Sequence, residues 1–575
     1  MTHRASRSSV VLTSLARKAA VALLAAALPL TSAIPVTAAP ADDPSPSASP
    51  RPSDGETILP SIPVVPLPSP TATGETPVPP ALVKNVVLIL GDDLEWSAFN
   101  EVPRLVELQE LGTTLTNFVV TESLCCPSRS SIYRSQYIHS HRVLSNIPTT
   151  KGGWSTYFNL RHDRNDLPVW LQKSGIETAH IGKYLNGFPG DQARTYVPPG
   201  WDHFVTTVNG NKAYTGYNYV LASNGRLSRA GGAFLNDVLT DDATAWLQQA
   251  DEPFYLELNS YLPHTPAPSS LKNIGSHAGT KLPRDSVFNG RGMYEPKWLK
   301  EAPFLSPGRI ANLDRKWAKR LASVETFADS VYAVLDTLKA TGRDKDTLVI
   351  VASDNGYHLG ARRLATGKHT PFREDTVVPA LLIGPGIARG KTIDAMTSTV
   401  DLAPTIASYL SAGTPAFVEG RDLRPLLANP AIAWRTGALS EHLAAPKPGD
   451  PDFEGVSAPK YRALRTKEWL YVEYPKYATL YNRSNDPLEL NNVIGSTPLS
   501  TIRMLREQLK AMAQCTGARC RVADSMPVPP APGSPSAPDR VQPSPSVTSD
   551  GAELTPNEPE TSPVATPSAE ASPVQ

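Results

Sequence analysis

The chain is 575 residues long and carries 55 lysines and arginines against 55 aspartates and glutamates, a formal net charge of zero. That balance excludes a global electrostatic case for a nucleic-acid partner or an anionic membrane surface. An anionic substrate would have to be caught by a local cluster of charge.

Residues 1–39 open with Arg4, Arg7, Arg17 and Lys18, run into an apolar stretch near 19–30 and end in small residues around "VTAAPA". This is the layout of a secretory signal peptide. The apolar run is short and interrupted by Pro29, which argues against a stable membrane span. A secreted or cell-surface location is therefore expected. In an oxidising compartment Cys515 and Cys520 of "CTGARC" read as a local disulfide, whereas the adjacent Cys125 and Cys126 of "CCPSR" would bridge only under strain.

Residues 40–80 and 526–575 are rich in Pro, Ser, Thr and Ala and almost free of aromatics. Such segments bury too little apolar surface to offset chain entropy, and both are expected to be disordered. Between them, short β-branched runs recur and end in polar residues. "NVVLIL" leads to Asp92 and Asp93, "ETAHI" to Lys183, "PFYLELNSYL" to His264, and "TLVIVAS" to Asp354 and Asn355. Separated by helical stretches such as "LDRKWAKRLASVETFADSVYAVLDTLKATG", these runs predict an α/β fold with a large, mostly parallel central sheet covered on both faces by helices. Ligands bind such sheets outside the carboxyl ends of the strands, so the four constellations converge on one edge. Residues 81–429 would form this unit. Residues 430–525, with the strand-like "YRALRTKEWLYVEY" and the helical "LSTIRMLREQLKAMAQ", would form a smaller C-terminal α+β subdomain.

Asp92, Asp93, Asp354 and Asn355 offer hard oxygen ligands, which suit Ca2+ or Mg2+ rather than zinc. Three carboxylates so close repel unless a cation lies between them. Arg129, Lys183 and Lys368 add positive charge, while His264, with His141 as a second choice, adds proton transfer. A cation with this set suits a tetrahedral oxyanion, of which phosphate and sulfate esters are the obvious sources. Trp154 and Trp298 lie in irregular stretches where they would pack or stack on a sugar ring. Asn482 of "NRS" fits a glycosylation pattern.

"CCPSR" matches the Cys-x-Pro-Ser-Arg signature of the type I sulfatases, and the likeness extends along nearly all of the folded length. "CCPSRSS", "HSHRV", "GKYLNG", "YVPPGWDHF", "SDNGYHLG" and "LKAMAQCTGARCR" resemble the branch of N-acetylglucosamine-6-sulfatases and extracellular heparan 6-O-endosulfatases. The resemblance implies an alkaline-phosphatase-like fold, with 81–429 as the catalytic domain. It also implies conversion of Cys125 to formylglycine by a formylglycine-generating enzyme. The hydrated aldehyde offers one hydroxyl as nucleophile, and the other expels sulfate afterwards. By the same resemblance Asp92, Asp93, Asp354 and Asn355 hold calcium beside Cys125, Arg129 steadies the hydrated aldehyde, Lys183 and Lys368 bind sulfate oxygens, and His264 assists the leaving oxygen. The substrate would be a sulfated small molecule or glycan.

The likeness is incomplete. Arg134 and Ser135 stand where the signature usually continues to Thr-Gly, and Leu185 stands where many sulfatases have a histidine. Two other readings are compatible with these residues. One is a phosphonate or phosphodiester hydrolase on the same fold, and the other a catalytically silent protein that binds sulfated glycans.

Overall fold

The computed structural model describes residues 83–148, 151–208, 210–229, 232–446 and 456–532. The expected signal segment 1–39, the stretch 40–80 and the tail beyond Pro532 lie outside the described residues.

Ten strands form one sheet: β1 (Asn85–Gly91), β2 (Thr113–Leu115), β3 (Glu177–Gly182), β4 (His203–Thr207), β5 (Val220–Ser223), β6 (Arg226–Arg229), β7 (Phe254–Asn259), β8 (Thr347–Ser353), β9 (Ala380–Ile383) and β10 (Lys391–Ile393). Their spatial order is β10-β2-β9-β8-β1-β7-β3-β4-β5-β6. The central five, β8-β1-β7-β3-β4, are parallel, with Val86 opposite both Tyr255 and Leu348. The flanks turn antiparallel, where β9 pairs with β8 and β5 pairs with β4.

Every residue of β1, β7 and β8 is buried, which explains why these strands read as continuous apolar runs without polar alternation. Successive side chains still point to opposite faces. Val86, Leu88 and Leu90 of β1 join one core cluster, and Val87 and Ile89 join the other. The first cluster is closed by α1 (Cys125–Arg134), whose ten residues are all buried. The second is closed by two long helices, α2 (Leu235–Gln249) and α3 (Pro307–Ala340). The α3 helix starts earlier than its apolar stripe suggests, because Ser306 accepts from the Arg309 amide as a cap and Pro307 supplies a preset φ. The first face is completed by α4 (Leu402–Tyr409).

A second, antiparallel sheet contains β11 (Gly437–His442), β12 (Tyr461–Thr466), β13 (Trp469–Glu473) and β14 (Ala478–Asn482). The stretch "YRALRTKEWLYVEY" is therefore two strands of a hairpin. Helix α5 (Leu499–Met512) packs Ile502, Leu505, Leu509 and Met512 against Leu439, Leu464, Tyr471 and Leu480. Cys515 and Cys520 are disulfide-bonded in the same cluster. Asn482 is buried and its side-chain amide donates to the Pro532 carbonyl, so in the fold it is engaged and not presented as a glycan acceptor.

No helix among the described residues is long and apolar enough to cross a membrane.

Candidate active site

Four strand ends and one helix start deliver the polar residues to the carboxyl edge of the parallel core. After β1 the chain turns with Asp93 at φ 65°, a left-handed conformation that Asp tolerates better than most residues. Both Asp92 and Asp93 are thereby aimed inward. Asp354 and Asn355 follow β8, and the Asp93 amide donates to Asp354 Oδ1 at 3.2 Å. Lys183 follows β3, fixed by its amide donating to the Asn259 carbonyl. Cys125 is the first residue of α1, so the positive end of that helix dipole faces the cluster.

The contacts are direct. Lys183 Nζ pairs with Asp92 Oδ2 at 2.5 Å, and Lys368 Nζ with Asp93 Oδ1 at 2.6 Å. Lys368 Nζ is also 3.0 Å from Cys125 Sγ, which lies 3.4 Å from Asp92 Oδ1. Arg129 donates through Nε to Asp354 Oδ2 at 2.8 Å and through Nη1 to the Lys183 carbonyl at 2.9 Å. His264 Nε2 is 3.7 Å from Asp93 Oδ2, while its Nδ1 donates to the Thr265 carbonyl at 2.8 Å. The His264 side chain, 21% exposed, is the most open member of a cluster whose other side chains are nearly sealed.

Burial opposes ionisation of Asp92, but the charges of Lys183 and His264 outweigh it and hold this carboxyl below its usual range. Asp93 is likewise held low, with Lys368 the main charge offsetting its burial. Asp354 is pushed up by burial, with Arg129 opposing and Asp92 adding to the shift. Burial also holds the Cys125 thiol well above its ordinary range, against the pull of Lys183 and Lys368.

Asp92, Asp93, Cys125 and His264 each place a ligand atom within 4.8 Å of the others. Two buried polar atoms beside them have no hydrogen-bond partner among the described residues, Asn355 Oδ1 and Arg129 Nη2. An acceptor and a donor left bare inside a sealed cluster are the marks expected where a cation and an anion bind. The oxygens of three carboxylates and one amide form a hard donor set that fits Ca2+ or Mg2+.

One candidate stands apart. His141 accepts from the Val143 amide at Nδ1, 3.1 Å, which leaves Nε2 to donate to Ser131 Oγ at 3.0 Å. Burial holds its ring well below the ordinary range, so it is neutral, and both nitrogens are committed away from the cluster. Trp154 is fully buried among Tyr184, Phe188 and Tyr196, and Trp298 packs on Phe372. Both are packing residues. Cys126 belongs to the core, and Leu185 packs there too. Ser135 adopts φ 51°, the left-handed conformation that glycine favours after a helix. Its hydroxyl donates to the Val400 carbonyl at 2.6 Å, which anchors a serine at this position.

Two residues escaped the sequence reading. Arg320 of α3 is buried, pairs with Glu95, and donates to the carbonyls of Asp93 and Pro263, tying the Asp93 turn to the His264 loop. Its signal was a lone arginine inside an apolar helical stripe. Tyr214 packs on His264 in a tilted arrangement with ring centroids 4.2 Å apart, and its ring centroid lies 5.3 Å from Lys183 Nζ. Nothing in the sequence around it marks that placement.

A mostly parallel sheet with acidic, basic and thiol groups gathered at its carboxyl edge is the arrangement expected of a hydrolase that acts on anionic esters. The family model described as Sulfatase matches residues 84–412, more than half of the chain, and the protein belongs to that family. A second model, described as N-sulphoglucosamine sulphohydrolase, C-terminal, matches residues 367–515. The chain is 29% identical to human N-acetylglucosamine-6-sulfatase over 76% of its own length and 86% of that protein. It is also 29% identical to a Caenorhabditis elegans Sulf-1 homolog over 70% of its length, and spans about half, 56%, of that longer relative. A solved structure in complex with D-glucosamine-2-N,6-O-disulfate superposes with a TM-score of 0.65 at 19% identity, over 77% of this chain and 99% of that one. A phosphonate monoester hydrolase from Silicibacter pomeroyi superposes with a TM-score of 0.56 at 23% identity, over 75% of this chain and 96% of that one. At those identities the superpositions establish the fold.

Proposed function

We propose that the protein is an exported, calcium-dependent sulfatase that hydrolyses sulfate esters of amino sugars through a formylglycine made from Cys125. The observation that carries this reading is the sealed cluster of Cys125 with Asp92, Asp93, Asp354, Asn355, Lys183, Lys368, Arg129 and His264 in a chain of the Sulfatase family.

Charge counting supports an anionic substrate. Asp92, Asp93 and Asp354 balance Lys183, Lys368 and Arg129, so a divalent cation would leave the set positive and able to accept a sulfate monoester. Asp92, Asp93, Asp354 and Asn355 would hold the cation, which supplies Lewis-acid polarisation of a sulfate oxygen. In the aldehyde hydrate formed from Cys125, one hydroxyl supplies the nucleophile and the other the means of releasing sulfate. The two lysines would then neutralise the remaining sulfate oxygens, since both ammonium groups already lie against the Cys125 environment. His264, with Nδ1 fixed on a carbonyl, keeps Nε2 toward the site, where it would give a proton to the departing sugar oxygen. Arg129 would hold Asp354 and the Lys183 backbone in register. The glucosamine preference rests on the named relatives and on the matched C-terminal model.

The experiment is turnover of N-acetylglucosamine 6-sulfate by the secreted protein with calcium present. Sulfate release, abolished by chelation, is expected. Hydrolysis of a phosphonate monoester with no sulfate release would instead establish the phosphonate hydrolase reading.

A further inference from the structure

The fold holds a second cluster of candidate ligands. Glu122, His369 and His442 are all buried, and each places a ligand atom within 4.8 Å of the other two. The three come from separate parts of the fold: the segment leading into α1, the residue after Lys368, and the last residue of β11. His442 Nδ1 is 2.8 Å from Glu122 Oε1. This commits one side of each group and leaves Glu122 Oε2 and His442 Nε2 as buried atoms without a hydrogen-bond partner among the described residues. A buried polar atom left bare costs about 1–3 kcal/mol, so the hydrogen bonding of this buried cluster is incomplete and a bound ligand would offset part of that cost.

We propose that Glu122, His369 and His442 form a second metal site, which takes a divalent cation of the zinc class rather than calcium. Two imidazoles and one carboxylate are the donor set of borderline-soft metals, with a fourth position left for water, whereas calcium selects oxygen donors only. The site is distinct from the oxygen-rich cluster around Asp354 and its assignment does not rest on the sulfatase reading.

The location gives the metal a structural task. Glu122 lies on the turn into the helix that begins with Cys125, and His369 directly follows Lys368. His369 sits at φ 78°, a left-handed conformation that a non-glycine residue holds only when its surroundings over-determine it. The Ser123 hydroxyl accepts from the His369 amide at 3.1 Å, so the two segments already touch. His442 adds the antiparallel sheet, whose Glu441 amide donates to the Thr121 carbonyl beside the site. A cation here would clamp three segments, two of which carry groups of the first cluster. Because all three ligands are sealed, the metal would be acquired as the chain folds and exchange slowly.

The test is metal content by mass spectrometry of full-length protein produced in medium supplemented with zinc, and separately with cobalt. About one zinc per chain is expected in the wild type and in Asp354→Asn, with loss in His442→Ala and in Glu122→Gln. The cobalt-grown wild type should show a visible ligand-field absorption that both cluster variants lack, and a Tm about 5 °C above theirs. Glu122→Gln preserves shape and keeps the comparison open if His442→Ala does not fold. Wild-type protein that holds no transition metal, or cluster variants that hold as much as the wild type, would overturn the proposal and leave a hydrogen-bonded buried pair.

Discussion

Lys368 Nζ lies 3.0 Å from Cys125 Sγ and 2.6 Å from Asp93 Oδ1, so a single ammonium links the residue proposed as nucleophile to a residue proposed as cation ligand. Its side chain is buried, and its charge acts with little screening by water. Lys368→Ala should lower kcat/KM by about 10²–10³-fold, the loss typical of removing one preorganised electrostatic contact from a water-excluded site. Steady-state kinetics of folded variant and wild type check this, with the larger change expected in kcat.

Removal of the proposed cation should show in stability as well as in turnover. Three carboxylates share a sealed volume, and a ligand that binds only the folded state stabilises it by about 2.7 kcal/mol at a hundredfold excess over its Kd. Melting curves with and without calcium after chelation should therefore differ by several degrees. In Asp354→Asn the calcium-dependent difference should shrink or vanish.

The role proposed for His264, protonation of the leaving group, predicts a substrate-dependent defect. A sugar alkoxide needs protonation as it departs, whereas a nitrophenolate leaves readily without it. His264→Ala should cost about 10²–10⁴-fold on a sugar sulfate and far less on 4-nitrophenyl sulfate. Equal losses on both substrates would assign His264 to binding.

His139 couples stability to pH. Burial opposes protonation, but the hydrogen bond and charge of Glu441, 2.7 Å away, raise its imidazole from the ordinary 6.5 to about 8. A folded-state value above the unfolded one gives stabilisation that is complete below pH 6.5 and lost as pH rises through 8. The contribution is at most about 2 kcal/mol. Wild-type Tm should fall between pH 6 and pH 9 relative to His139→Gln, which lacks the titrating group.

The strand-end residues were legible because parallel strands buried on both faces leave unbroken apolar runs, and the first polar residues after them mark the carboxyl edge. "NVVLIL" before Asp92 and "TLVIVAS" before Asp354 both read this way and both form central strands. His141 was misplaced for a physical reason. In "YIHSHRV" the two histidines lie two residues apart on a short helix, and tertiary packing alone decides what each one meets. One bonds Glu441 and the other Ser131. Arg320 was readable only as a charge in the wrong stripe of α3. Its partners, Glu95 and the Pro263 carbonyl, come from loops far away in sequence. The Glu122–His442 pair spans 320 positions, a separation that no local pattern reports.

The most direct test is the chemical state of Cys125 in protein isolated from its native host. The peptide that contains it should be recovered by mass spectrometry after alkylation and, in parallel, after hydrazide treatment. An aldehyde at Cys125 that couples to the hydrazide is expected, with Cys126 recovered as an alkylated thiol. A Cys125 that is wholly thiol, alkylated and inert to hydrazide would contradict the formylglycine mechanism and return the glycan-binding reading.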